Sequence, residues 1–346
     1  MSKTYGVVLI GCGHIGEAHI SDIYFREEIR IVGVVDLNLD TAKLFARKYG
    51  AAYYDTDYHE LIQRSDVDIV IIATYAHTHL PILKDCLAAG KHILCEKPMT
   101  QADMQAAKEF HDLVKQAKTK VLIAHVLRHN DTYTKVRNMI REGAIGEVRF
   151  IRMVQNHHIL NPKRYGAFLE DCPPIVDCGV HYIDVIRWFT GLEITSVGGL
   201  GTDIDGHGTN EFDHGILTMK LSNGGSAYYE AGWANNLAAE NLKEFIGNKG
   251  RLRITLQENR KQDAEEGDLI EYYTHEDGKY TTINNPSKYK NMWGQLQTLI
   301  QMIETGEEGN PSSDEAFEAF MIALIGNEAA KQNKVIDLNY RWDHEF

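Results

Sequence analysis

The chain has 346 residues, more than one hydrophobic core usually serves, so two domains are expected, each long enough to bury a core. Apolar residues make up 43% and charged residues 25%, which excludes collagen-like, low-complexity and disordered classes. The formal net charge of -13, with no local block of Lys or Arg to offset it, disfavours nucleic acid and anionic membranes and leaves a small molecule as the expected partner.

The opening segment MSKTYGVVLIGCG runs from one lysine straight into a strand pattern, so no signal peptide is expected. No apolar run is long enough to span a bilayer. Cys12, Cys86, Cys95, Cys172 and Cys178 are odd in number and lack CxxC spacing, which argues against a disulfide framework or a zinc site and for a reducing, cytoplasmic setting. His157, His158 and His207 invite a metal reading, but no carboxylate or cysteine stands at a recognised ligand spacing, so no metal is expected.

The first 125 or so residues alternate β-branched runs with helical patterns, the rhythm of parallel strands joined by crossover helices. Strands are expected at Tyr5 to Ile10, Ile31 to Val35, Asp68 to Ala73, Lys91 to Cys95 and Lys120 to Ala124, and their unbroken apolarity suits strands buried on both faces. Helices are expected at Glu17 to Phe25, Leu39 to Lys48, His79 to Ala89 and Ala102 to Gln116, with Gly50 and Gly90 placed as C-caps. From about residue 145 the rhythm changes. Glu147 to Gln155, Thr195 to Leu200, Gly215 to Leu221, Gly225 to Gly232 and Lys243 to Thr255 read as strands of an antiparallel or mixed sheet. Helices are expected at Val180 to Phe189, ending near Gly191, and at Asn291 to Glu304 and Asp314 to Lys331. The fold class is therefore α/β: a doubly wound Rossmann domain over residues 1–125, then an α+β domain over 126–346 with a large, mostly antiparallel open sheet.

Gly11-Cys12-Gly13-His14-Ile15-Gly16 is a G-x-G-x-x-G directly after the first strand and before a helix. Its first glycine suits a tight turn, its second a close approach of backbone to a pyrophosphate, and its third helix-on-sheet packing. Gly11, Gly13, His14, Ile15 and Gly16 are thus candidate cofactor contacts. Asp36 closes the second strand, where its carboxylate accepts from ribose hydroxyls and repels a 2′-phosphate, so NAD is expected over NADP. At the end of the fifth strand stands Cys95-Glu96-Lys97-Pro98, two charges at the edge where open parallel sheets bind ligands. A solvated turn that stops the strand is the plain alternative.

These motifs, with AGKHILCEKP and the segment Asp177-Cys178-Gly179-Val180-His181-Tyr182-Ile183-Asp184, resemble the glucose-fructose oxidoreductase and inositol dehydrogenase (Gfo/Idh/MocA) family. FIGNKGRLRIT resembles that family's later strand pair. The resemblance covers nearly the whole chain and implies an NAD-dependent dehydrogenase acting on a secondary hydroxyl of a sugar, cyclitol or related polyol. It departs in keeping Thr74 and His79 without the family's Pro-Asn between them, and in approaching Asp177 through Asp171-Cys172-Pro173-Pro174 rather than a glycine-rich run.

By this resemblance Lys97, Asp177 and His181 are the catalytic candidates. His181 is expected as the base, kept neutral by the positive end of its helix. Asp177 is expected to orient it or to bind substrate, with an N-cap role competing. Lys97 is expected to stabilise the developing alkoxide, and Glu96 to fix its loop. Thr74, His79, Glu96 and Lys97 join the cofactor contacts, and Arg128, Asn156, His157, Asp177, His181 and Trp233 are the substrate-binding candidates. Asp184 is a supporting candidate behind His181. An NAD-dependent redox-neutral glycosidase and a non-catalytic NAD-binding sensor remain alternatives. The open sheet would expose an apolar face, so a homodimer or homotetramer is expected.

Overall fold

A computed structural model of the chain describes residues 3–157, 168–255, 268–287, 290–340 and 342. The strands are β1 (Tyr5–Ile10), β2 (Ile29–Val35), β3 (Tyr53–Asp55), β4 (Ile69–Ile72), β5 (His92–Glu96), β6 (Val121–Ala124), β7 (Val148–Asn156), β8 (Ile194–Thr202), β9 (His214–Leu221), β10 (Ser226–Gly232), β11 (Glu240–Gly247), β12 (Gly250–Thr255), β13 (Asp268–Thr274), β14 (Tyr280–Asn285) and β15 (Val335–Asp337). The helices are α1 (His14–Ile23), α2 (Leu39–Tyr49), α3 (His59–Ile62), α4 (His79–Ala88), α5 (Met104–Gln116), α6 (Asp131–Arg141), α7 (Pro174–Asp177), α8 (Gly179–Thr190), α9 (Met292–Thr305) and α10 (Ser313–Gln332).

The chain divides into two compact units, one of residues 1–129 with 290–317, the other of 130–289 with 318–346. The expected division at 125/126 thus falls four residues later, and the first unit takes back a distant segment. Within that unit a six-stranded parallel sheet has the order β3-β2-β1-β4-β5-β6. All residues of β1 and β4 are buried, as expected of strands covered on both faces. Gly50 and Gly90 end α2 and the α4 turn at φ 73° and 69°, the left-handed conformation that glycine adopts without a Cβ clash.

The returning α9 brings Leu296, Leu299 and Met302 into the core cluster that holds Tyr5, Val7 and Leu9. Its first turn is tied to α1 by a hydrogen bond from the Trp293 N–H to Asp22 Oδ2 at 2.9 Å.

The second unit holds a nine-stranded sheet, β14-β13-β12-β11-β7-β10-β9-β8-β15, in which β7 and β10 run parallel and every other pair is antiparallel. Ile151 and Met153 of β7, and Ala227, Tyr229 and Ala231 of β10, are buried beneath the helices α7 and α8. Alternate residues point to the other face. Gly191 closes α8 at φ 69°. Among the described residues, no helix is long and apolar enough to cross a membrane.

Candidate functional site

In the first unit, Gly11, Cys12 and Gly13 separate the end of β1 from the start of α1, and the glycines of this turn stand there for three different reasons. Gly11 has φ +98°, and a Cβ on it would meet the Ala73 carbonyl oxygen at 2.4 Å. A Cβ on Gly16 would lie 1.9 Å from the Gly11 carbonyl oxygen, so α1 can close on the turn only with glycine at that position. Among the described residues, beyond its chain neighbours, a Cβ on Gly13 would meet nothing within 4 Å. Nothing in the fold itself demands glycine at 13, and the space it leaves lies at a helix N-terminus where no side chain caps. That open cradle fits the pyrophosphate of a dinucleotide. His14 is exposed and Ile15 half-buried at the same helix start.

The Asp36 carboxylate is held beside this turn. Its Oδ2 accepts from the Cys12 N–H at 3.0 Å and its Oδ1 from the Asn38 N–H at 2.9 Å. Each oxygen keeps a second lone pair, so the group fits a ribose diol. Burial and the neighbouring Asp36 charge push the Cys12 thiol up to about 12, which keeps it protonated and unreactive in the turn.

The loops after β4 and β5 are joined by side chains. Thr78 Oγ1 donates to Thr74 Oγ1 at 2.6 Å, and the Thr74 side chain lines the space beside Gly11. The ring of His79, 1% exposed, has Nδ1 2.9 Å from the Pro98 carbonyl oxygen and Nε2 3.2 Å from that of Thr74. The ring of His79, a candidate cofactor contact, ties the two loops together. Glu96 ends β5 with Oε1 2.7 Å from His19 Nε2 and Oε2 accepting from the Lys97 N–H at 3.2 Å. Burial works against charge on Glu96, yet the hydrogen bond and electrostatic attraction of His19, with the positive charges of Lys97 and Lys290, hold its carboxyl below the usual range. The Glu-Lys-Pro segment is therefore a fixed feature rather than a solvated turn.

Arg128, a substrate-binding candidate, packs within its unit. Its side chain is 3% exposed, and Nη1 donates to Asn310 Oδ1 and Glu315 Oε2, each at 2.9 Å, fastening the returning segment.

In the second unit, Asp177 ends α7 and His181 lies in the first turn of α8. The residue between the helices, Cys178, has φ -79° and ψ -35°, so helical phase continues through it and Asp177 and His181 keep their four-residue spacing on one face. Cys178 occupies the capping position of α8 and makes no side-chain cap bond there. A Cβ on Gly179 would meet the Tyr229 hydroxyl at 2.1 Å, and that hydroxyl donates to the Ile175 carbonyl oxygen. Glycine thus lets the segment carrying both candidates sit down on the sheet. Asp184 is 1% exposed, one turn further along.

His157 and Trp233 stand at the same end of the parallel pair β7/β10, where the His157 N–H donates to the Gly232 carbonyl oxygen at 2.9 Å. Trp233 is buried, edge-on to Phe168. The His157 ring belongs to a chain of contacts that the sequence did not disclose: Tyr182 donates to Gln155 Oε1, and Gln155 Nε2 lies 2.8 Å from His157 Nε2. Tyr182 follows His181, so this chain links the helix of the candidate base to the end of β7. Asn156 is directed elsewhere. Its Nδ2 donates to Glu230 Oε1 at 2.8 Å, which His214 Nε2 also approaches at 3.1 Å, on the sheet face turned away from α7 and α8. Asn156 therefore lies on the opposite sheet face from Gln155.

The histidines weighed as metal ligands differ in their surroundings. His207 does come together with carboxylates, Asp203 and Asp213, their ligand atoms within 4.8 Å of one another. Both carboxylates are occupied in closing their own loop, Asp203 accepting from the N–H groups of Gly206, His207 and Gly208, and Asp213 from those of Ile204 and Asp205. His158 lies outside the described residues.

Comparison with known proteins gives a consistent result. Residues 5–125 match the model of an oxidoreductase family with an NAD-binding Rossmann fold, and residues 133–253 match the GFO/IDH/MocA C-terminal domain. The chain is 26% identical over 255 residues to an inositol 2-dehydrogenase of Rubrobacter xylanophilus, covering 73% of this chain and 72% of that one. It is 21% identical to a myo-inositol 2-dehydrogenase of Thermotoga maritima, across 95% of this chain and 97% of the relative. The structure of scyllo-inositol dehydrogenase from Lactobacillus casei, with bound NAD(H) and scyllo-inositol, superposes with a TM-score of 0.76 at 22% identity over 97% of this chain and 99% of that one.

Proposed function

Because this chain belongs to the GFO/IDH/MocA oxidoreductase family, we propose that it is an NAD-dependent dehydrogenase that oxidises a secondary hydroxyl of a sugar, cyclitol or related polyol. The observation that carries the reading is Lys97, an ammonium on a loop fixed by Glu96 at the carboxyl end of β5, in the unit that also holds the phosphate turn. The names of the inositol dehydrogenase relatives support the substrate class.

NAD, when bound, supplies the hydride acceptor. Gly13, with Ile15 beside it, would leave room for its pyrophosphate on the turn that Gly11 and Gly16 allow to close, and Asp36 would hold its ribose. Lys97 lowers the cost of developing alkoxide charge on the reacting hydroxyl. His181 takes the hydroxyl proton, its imidazole kept neutral by the start of α8, and Asp177 orients it or hydrogen-bonds the substrate from one turn before. His157 and Trp233 are assigned to the polyol. The chain acts as a homodimer or homotetramer, a reading supported by Phe150, Tyr228 and Ile216 on the sheet face opposite α7 and α8.

The test is a screen for NADH accumulation across inositols, hexoses, sugar acids and aminosugars. Sustained NADH formation on a polyol supports the proposal, whereas cleavage of an aryl glycoside without net NADH would replace it with a redox-neutral glycosidase. Asp36 also sets an expectation for cofactor choice. Asp36→Ser removes the charge that repels a 2′-phosphate, so the ratio of NADP to NAD in kcat/KM is expected to rise on the order of 100-fold. An unchanged ratio would show that Asp36 does not choose the cofactor.

A further inference from the structure

We propose that His19 is a positioning residue which, through Glu96, sets the main chain of Lys97 and so ties the placement of the ammonium to the phosphate-binding helix. The proposal rests on the role assigned to Lys97 above.

His19 lies on α1, three residues after Gly16, and is 0% exposed. A histidine buried between a helix and a sheet loses its hydration, and that cost is met only by a strong partner. The partner here is a carboxylate at 2.7 Å, a charge-assisted bond. An ionised carboxylate only accepts, so Nε2 carries the proton. In the neutral ring this leaves a lone pair, not an N–H, at the buried Nδ1, which has no hydrogen-bond partner among the described residues. Glu96 thus uses its two oxygens for two different elements, Oε1 for a side chain of α1 and Oε2 for the N–H of Lys97 at 3.2 Å. On the far side of Lys97, the Pro98 carbonyl is held by His79 of α4 at 2.9 Å. The lysine is therefore suspended between two histidine clamps, and the first of them belongs to the helix whose N-terminus forms the phosphate cradle. A shift of α1 relative to the sheet would be transmitted to Lys97 through Glu96.

Two variants test this: His19→Ala, which removes the donor, and His19→Gln, whose amide nitrogen reaches the place of Nε2. Two readouts are measured on each, amide hydrogen exchange at Lys97 and steady-state kinetics, with thermal melting as the check of folding. His19→Ala is expected to speed exchange at the Lys97 amide by about tenfold or more and to lower kcat by about 10- to 100-fold, with KM for NAD and polyol changed less than about threefold. His19→Gln is expected to recover most of both. The proposal is overturned if His19→Ala leaves exchange and kcat within about twofold of wild type, or if folded His19→Gln behaves like His19→Ala. It is also overturned if neither variant folds, since His19 would then be structural. A wild-type chain that oxidises no polyol would overturn the proposed function, and Lys97 amide exchange would still decide the case of His19.

Discussion

Alanine at Gly13 is expected to weaken NAD binding by about 100-fold or more while leaving the melting temperature unchanged, and alanine at Gly16 to damage both. The contrast follows from what each new methyl would meet. At Gly13 the new methyl would meet no atom of the described residues beyond its chain neighbours within 4 Å, so it occupies only the space assigned to the pyrophosphate. At Gly16 it would sit 1.9 Å from the Gly11 carbonyl oxygen, and main chain, which yields far less readily than a side chain, would have to move. Isothermal titration with NAD and a melting curve on each variant separate the two effects. If Gly13→Ala bound NAD as tightly as wild type, the cradle would not be the phosphate site.

The second large effect is expected at the reacting hydroxyl. Lys97→Met should lower kcat by about 10²- to 10³-fold, the scale of losing one group that stabilises developing oxyanion charge, with little change in NAD affinity. His181→Gln should cost about 10²- to 10⁴-fold, the usual contribution of a general base. Under the proposed roles, in which both residues serve one proton transfer, the double variant should fall well short of the product of the single losses. Single-turnover rates on the best polyol of the screen are the measurement, and wild-type rates in both single variants would remove these residues from the chemistry.

The parts of this molecule that were legible beforehand are those where one local rule dominates. The strands β1, β2, β4, β5 and β6 stood out as apolar runs because a parallel sheet buries both faces, and Gly50, Gly90 and Gly191 marked helix ends because the chain turns there through positive φ. The phosphate turn and Asp36 were readable for the same reason. What was not legible depends on partners far away in the chain. β3 has three exposed residues and no apolar signal, and it is recognised only by its pairing with β2. Arg128 carried no sign that Asn310 and Glu315, beyond residue 300, would occupy its guanidinium.

Asn156 illustrates a different limit. Both faces of β7 carry apolar residues, Ile151 and Met153 on one, Phe150 and Val154 on the other, so alternation alone could not say which face lies under the helices. His19 was passed over because a single histidine inside a helix has no signature of its own. Only the approach of Glu96, 77 positions later, gives it meaning.

The most direct test of the dehydrogenase reading follows the hydrogen itself. The best polyol of the screen, deuterated at the carbon that bears the oxidised hydroxyl, is incubated with NAD, and the nicotinamide product is examined by mass spectrometry and NMR. The account predicts one deuterium at C4 of NADH for each ketone formed. Deuterium appearing in water, or product forming while the nicotinamide stays unlabelled, would contradict it.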